Sequence, residues 1–146
     1  MLGLYLHIPF CDGKCPYCDF YSLAGNEEVK EAYTRVLENQ LAQWAETLQK
    51  QGLSPKADTL YFGGGTPNLL GGSRIARLIT AAKQYFSLEK GEITVEVNPS
   101  SELSGFFREI AAAGANRISI GLQSADDGEL KALGRRHTVK QAAETV

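Results

Sequence analysis

No stretch of this chain approaches the roughly 20 consecutive apolar residues that a membrane-spanning helix requires, so no helical span is expected. Neither sign of charge is in excess. Lys and Arg number 15 against 17 Asp and Glu, and the net charge of −2 gives no footing for nucleic acid or an anionic lipid surface. The opening M-L-G-L-Y-L-H-I-P-F has no basic residue before Lys14, which does not fit a secretory signal peptide. Low-complexity tracts and sequence repeats are missing too, and 146 residues at 43% hydrophobic content suit an ordinary globular domain. Cysteine is nearly absent. There are 3, an odd count that fits a disulfide framework poorly and favours a reducing, cytoplasmic setting.

What cysteine there is lies in one place. Cys11, Cys15 and Cys18 fall within C-D-G-K-C-P-Y-C, directly after a short apolar strand. Three soft ligands this close can hold one metal centre from a single loop. Closed structural zinc sites and ferredoxin-type clusters normally take four protein ligands, so three leave one metal position for something that is not protein. Two other readings compete: a disulfide with one spare thiol, and a small zinc module that recruits His7 as its fourth ligand.

Around this loop, strand-like and helix-like runs alternate. Strands are expected over Gly3 to Ile8, Thr59 to Phe62, Ile93 to Val97 and Arg117 to Leu122. A long helix is expected from about Glu27 to Gln51, with Val29, Tyr33, Val36, Leu37, Leu41, Trp44 and Leu48 at helical spacing and Gly52 as its stop. Ser73 is the expected cap of a second helix carrying Ile75, Leu78, Ile79, Ala82 and Phe86. A third holds Leu103, Phe106, Phe107 and Ile110 and ends at Gly114. Such a rhythm argues for parallel strands joined by right-handed helical crossovers.

Strand faces narrow the architecture. Leu4, Leu6 and Ile8 oppose Tyr5 and His7; Ile93, Val95 and Val97 oppose Thr94, Glu96 and Asn98; Ile118, Ile120 and Leu122 oppose Ser119, Gly121 and Gln123. A doubly wound sheet buries both faces and reads as continuous apolar runs. One apolar face per strand instead predicts helices outside and a polar, concave interior, as in an open or closed βα barrel. Four strands cannot close a barrel, and a capping box at Thr138-Val139-Lys140-Gln141 opens a helix that the sequence leaves at Val146. The expectation is the N-terminal part of a longer protein.

Each strand is followed by a loop that can carry chemistry, and in parallel βα folds such loops converge at the strand C-terminal ends. Gly63-Gly64-Gly65-Thr66-Pro67 is either a tight turn or a place where backbone approaches a ligand, and no lysine follows at P-loop spacing. Glu96 puts a carboxylate on the polar face with Tyr5, His7 and Gln123, where it must be paired or solvated. Its roles are an ion pair, with Arg135 as partner, or hydrogen bonding to ligand hydroxyls. His7 is either a satisfied interior histidine or a ligand. Arg135-Arg136-His137 is either a solvated helix end or a cation over the site.

The string Y-L-H-I-P-F-C-D-G-K-C-P-Y-C-D-F resembles the C-x3-C-x2-C signature of the radical S-adenosylmethionine (SAM) superfamily. More narrowly, it looks like the branch that holds oxygen-independent coproporphyrinogen III oxidase and the HemW haem chaperones. The likeness continues through Y-F-G-G-G-T-P, E-V-N-P, R-I-S-I-G-L-Q-S and L-G-R-R-H-T. It implies an α/β fold, the N-terminal part of a radical SAM partial (β/α) barrel cut after about four strands. It also implies a [4Fe–4S] cluster on Cys11, Cys15 and Cys18, with SAM filling the open iron position. By the same resemblance Tyr5 lies beside the cofactor, Tyr17 near its adenine, Gly64, Gly65 and Thr66 along its methionine part, and Glu96 at its ribose. Gln123 and Arg135 match positions that contact a second SAM in the oxidase branch. In that family a reduced cluster passes an electron to SAM, yielding methionine and a 5′-deoxyadenosyl radical that abstracts hydrogen. The oxidase carries a further cysteine two residues after the third, where this chain has Phe20. The phenylalanine pattern is that of the haem chaperones. Implied partners are therefore SAM, haem or a porphyrinogen, an electron donor and a haem-accepting protein.

Overall fold

The computed structural model describes residues 2–99 and 103–146. Ser100, in the loop that follows the third expected strand, lies outside them. Four parallel strands, β1 (Gly3–Ile8), β2 (Thr59–Gly64), β3 (Glu92–Val97) and β4 (Arg117–Ile120), form one sheet in the order β1-β2-β3-β4. Between them run α1 (Glu27–Lys50), α2 (Gly72–Phe86) and α3 (Ser104–Ala113), and β4 is followed by α4 (Asp127–Ala132) and α5 (Val139–Glu144). Every neighbouring pair is joined through a helix, as parallel pairing requires.

Helices cover one face of the sheet. Leu6, Ile8, Leu60, Phe62, Ile93, Val95 and Val97 project into a core shared with Leu41 and Ala45 of α1, Ile75, Leu78, Ile79, Ala82 and Phe86 of α2, and Phe106 and Ile110 of α3. Side chains such as Phe62 and Ile79 are wholly removed from water, each stabilising the fold by about 1.5–3 kcal/mol. The opposite face carries Tyr5, His7, Tyr61, Glu96 and Ser119 and stays partly open. On β1 to β3 this is the expected division of apolar and polar faces, except that Thr94 is fully buried; on β4 Ile120 packs against the core but Ile118 stays exposed.

Details of the elements differ from expectation for identifiable reasons. On α1 the covered stripe is Thr34, Leu37, Leu41, Ala45 and Leu48, while Val29, Val36 and Trp44 face solvent, the last 63% exposed. The apolar positions form two stripes, and the sheet takes one. Asn26 caps α1 by accepting from the Val29 amide, and Gly52 at φ +74° lets the chain turn away. Ser73 does not cap α2. A 3-10 turn over Pro67–Leu70 feeds straight into the helix, Gly71 takes the cap position, and Ser73 falls in the first turn. Strand β2 runs two residues further than expected, through Gly64, because its glycines still pair with His7 and Ile8. Strand β4 stops two residues early, at Ile120. The capping box forms as expected, with Thr138 and Gln141 satisfying each other's amides.

Candidate cofactor site

The cysteine loop is an excursion pinned at its base. After β1 the chain reaches Phe10, which bridges Leu23. The Leu23 amide donates to Pro9 O at 2.9 Å and the Cys11 amide to Leu23 O at 3.1 Å, closing the loop into a compact lobe. Phe10 is buried and meets Tyr33 edge-on at 5.5 Å, and the Tyr33 hydroxyl donates to His7 O at 2.6 Å. Within the lobe, the Cys18 amide donates to Cys15 O at 3.0 Å, a turn whose second position is Pro16. All three cysteines are free thiols of intermediate exposure.

The glycine segment lies against this lobe. Gly65 donates to Ile8 O and Thr66 to Phe10 O, both at 2.8 Å. A Cβ at Gly65 would sit 2.8 Å from Phe10 O and 2.9 Å from Ile8 O. Gly64 has φ +112°, and a side chain there would run into the His7 ring. The buried Thr66 hydroxyl lies 3.6 Å from Cys11 Sγ and accepts from Asn98 Nδ2 at 2.9 Å. The glycines are required here by close packing within the chain, against the base of the cysteine lobe and the His7 ring.

Glu96 is tied to β2. It accepts from the Tyr61 hydroxyl at 2.5 Å and from the Gly64 amide at 3.3 Å. That hydrogen bond, followed by burial, pushes the Tyr61 hydroxyl above its ordinary range and keeps it a donor. Arg135 is not its ion-pair partner. The guanidinium goes to Asn98 Oδ1 at 2.8 Å and Gly121 O at 3.0 Å, and reaches Tyr17 Oη and Cys15 Sγ. Burial pushes Tyr17 up as well, with Arg135 opposing it.

The loops meet around a cleft of about 590 Å³, within the range of small-molecule sites. Cys11, Cys15, Cys18, Tyr17, Gly64, Gly65, Thr66, Glu96, Gln123 and Arg135 all line it. Gln123 does so from a left-handed backbone at φ +68° in the loop after β4, not from a strand. Tyr5 stands apart from this lining. It stacks on Tyr61 with ring centroids 6.1 Å apart, and its hydroxyl lies 3.2 Å from His7 Nδ1. Phe20, 63% exposed, lies on the outer rim. Sequence reading did not single out Tyr61 or Asn98 as site residues. Polar-face parity carried the signal for both, but not the identity of their partners.

A single zinc held by three thiols and His7 needs its donors to meet at one point. His7 faces Tyr5 and Gly64, and among the described residues no group of three or more Cys, His, Asp or Glu converges on one ion. A cluster asks for a different arrangement, with each cysteine on its own iron.

A family model described as the radical SAM superfamily matches residues 5–146. The chain belongs to the radical SAM superfamily. It is 42% identical over 143 residues to the "Heme chaperone HemW" of Escherichia coli, covering 97% of this chain and 37% of that protein. It is 34% identical over 146 residues to the "Oxygen-independent coproporphyrinogen III oxidase" of Bradyrhizobium diazoefficiens, covering 99% of this chain and 32% of that one. Among solved structures it resembles coproporphyrinogen III oxidase (HemN) from Escherichia coli, described as a radical SAM enzyme, with a TM-score of 0.77 and 27% identity. That match covers 95% of this chain and 32% of the other. The chain thus spans about a third of the length of the relatives it matches. No helix among the described residues is long and apolar enough to cross a membrane.

Radical SAM membership implies SAM and a [4Fe–4S] cluster. The cleft fits both. It offers three thiols on one lobe and a buried Arg135 Nε with no hydrogen-bond partner among the described residues.

Proposed function

We propose that this chain is the N-terminal portion of a radical SAM core domain that handles haem as a HemW-like chaperone. Cys11, Cys15 and Cys18 hold the cluster. Gly64, Gly65 and Thr66 flank the methionine part of SAM, Glu96 takes its ribose hydroxyls, and Tyr17 lies by its adenine. Gln123 and Arg135 complete the cofactor's surroundings, and Tyr5 supports them indirectly, through its stacking on Tyr61. Once bound, the cluster and SAM supply one-electron reductive chemistry, while the protein orients the ligand and keeps competing groups away. Tyr61 and the Gly64 amide fix the Glu96 carboxylate in one orientation. Pro16 and the Cys15–Cys18 turn set the spacing of the two later thiols. Cytoplasmic thiols stay reduced and ready for such a centre. An electron donor and a haem-accepting protein are the partners this role requires.

The observation that carries the chaperone reading is Phe20, which stands where the oxidase has a further cysteine. The second reading, conversion of coproporphyrinogen III to protoporphyrinogen IX, is favoured by the structural likeness to the oxidase. Assays on the full-length protein, anaerobic and supplied with SAM and a reductant, separate the two. Stable haem binding without substrate turnover is the expected result. Decarboxylation of coproporphyrinogen III at a sustained rate overturns the chaperone reading. One tightly bound zinc with no iron or sulphide overturns both.

A further inference from the structure

Arg135 stands 120 residues from Cys15 in sequence and lies against it in space. It follows α4 in the segment 133–137, and three consecutive residues of that segment rest on the cysteine lobe. Gly134, at φ +72°, packs on Pro16, and a Cβ there would lie 3.1 Å from the ring. Arg136 donates to Asp12 O at 3.3 Å. Between them, Arg135 places Nη1 3.9 Å from Cys15 Sγ and 3.4 Å from Tyr17 Oη. Its Nη2 donates to Asn98 Oδ1 and Gly121 O, at the ends of β3 and β4. His137 anchors the segment from behind, buried with Nε2 3.2 Å from Leu122 O.

We propose that Arg135 is a positioning residue for the cluster lobe: its guanidinium locks the Cys15–Tyr17 turn to the sheet and holds a permanent cation beside the Cys15 sulphur. This rests on the reading of the three cysteines as cluster ligands. A planar fork is what the geometry uses, since one group serves acceptors on three separate segments. Lysine, a point charge on a flexible stem, keeps the cation and loses the fork. Two consequences follow when Cys15 is a ligand. The cation favours the more negative, reduced state of the centre and so raises its potential. The fork also restrains the lobe and slows loss of iron.

The test uses full-length protein reconstituted anaerobically with iron and sulphide. Wild-type iron and sulphide content comes first: without a stoichiometric cluster, the reading of the site fails before Arg135 is tested. Next, R135Q and R135K are compared with wild type by far-UV circular dichroism, by redox titration followed by electron paramagnetic resonance, and by iron release to a chelator. Folded R135Q should titrate at a more negative potential and release iron about tenfold faster, as loss of outer-shell partners typically does. R135K should release iron faster as well, with a smaller change in potential. An R135Q protein with wild-type potential and wild-type iron release overturns the proposal. If R135Q does not fold, R135K decides: iron release at the wild-type rate overturns it, and faster release supports it.

Discussion

Replacing Gly65 by alanine adds one methyl group where the glycine segment packs against the base of the cysteine lobe. Its Cβ would lie 2.8 Å from Phe10 O, 2.9 Å from Ile8 O and 3.0 Å from the Pro9 carbonyl carbon, all backbone atoms. No side chain can swing aside to relieve these contacts. Either the glycine segment or the base of the cysteine lobe must move, and two backbone hydrogen bonds of 2.8 Å hold them together, Gly65 to Ile8 and Thr66 to Phe10. Overpacking of this kind costs about 1–3 kcal/mol. Weakening the two hydrogen bonds adds roughly 0.5–1.5 kcal/mol each if they are lost. A loss of about 2–4 kcal/mol is expected, a large share of a typical domain's roughly 5–15 kcal/mol. Gly105 is the internal control. It sits in the first turn of α3, and a methyl group added there would meet nothing within 4 Å, so alanine should stabilise by up to about 0.5–1 kcal/mol. Urea unfolding followed by circular dichroism, with unchanged m values, measures both. The reasoning is refuted if G65A stays within about 0.5 kcal/mol of wild type, the range of an ordinary surface change, or if the two substitutions shift stability in the same direction.

Tyr61→Phe removes the hydroxyl that holds Glu96. Because the pair is partly solvated, a loss of about 1 kcal/mol is expected, roughly a fivefold rise in the SAM Kd by equilibrium binding. Glu31 is held at about 2 by hydrogen bonds from Arg77 and Arg74, the contacts that tie α1 to α2. Its folded value lies below its unfolded value of 4.5, so its contribution is present above pH 4.5 and lost as pH falls toward about 2. E31Q should flatten thermal stability across that window, and added salt should do the same to wild type. His137 is held below its ordinary range, mainly by burial. The unfolded chain therefore binds the proton more readily, and stability should fall as pH drops below about 6.5, a slope that H137Q removes. Trp44→Gln should leave stability within about 0.5 kcal/mol of wild type, because the ring is 63% exposed on the uncovered side of α1.

Periodicity read the sheet well because burial acts on one face at a time. Leu6, Phe62, Val95 and Val97 alternate with polar neighbours, and the same alternation survives in the fold. It read α1 less well. Val29, Val36 and Trp44 satisfy helical spacing as fully as Leu37, Leu41 and Leu48 do, and only the tertiary contact selects between the two stripes. Ser73 shows a different limit. A serine before an apolar run is a good cap on local grounds, but the Pro67–Leu70 turn begins the winding earlier and leaves no free end at Ser73.

The candidate site was legible to the extent that parity could describe it. Alternation assigns Tyr5, His7, Glu96 and Gln123 to one side of the sheet, yet says nothing of height along the strands. Height depends on register, which arises from pairing between segments far apart in sequence. Register pairs Tyr5 with Tyr61, Tyr61 with Thr94 and Thr94 with Arg117, whereas His7 pairs with Gly63 and Glu96 with Ser119. Tyr5 therefore stands one row below the level of Glu96, stacked on the tyrosine that orients that carboxylate. Its connection to the cleft runs through Tyr61. Loss of the Tyr5 ring should consequently disturb the Tyr61–Glu96 pair, and Y5A combined with Y61F should weaken SAM binding by less than the two single effects added together. Strict additivity would mean that Tyr5 meets the ligand independently of Tyr61.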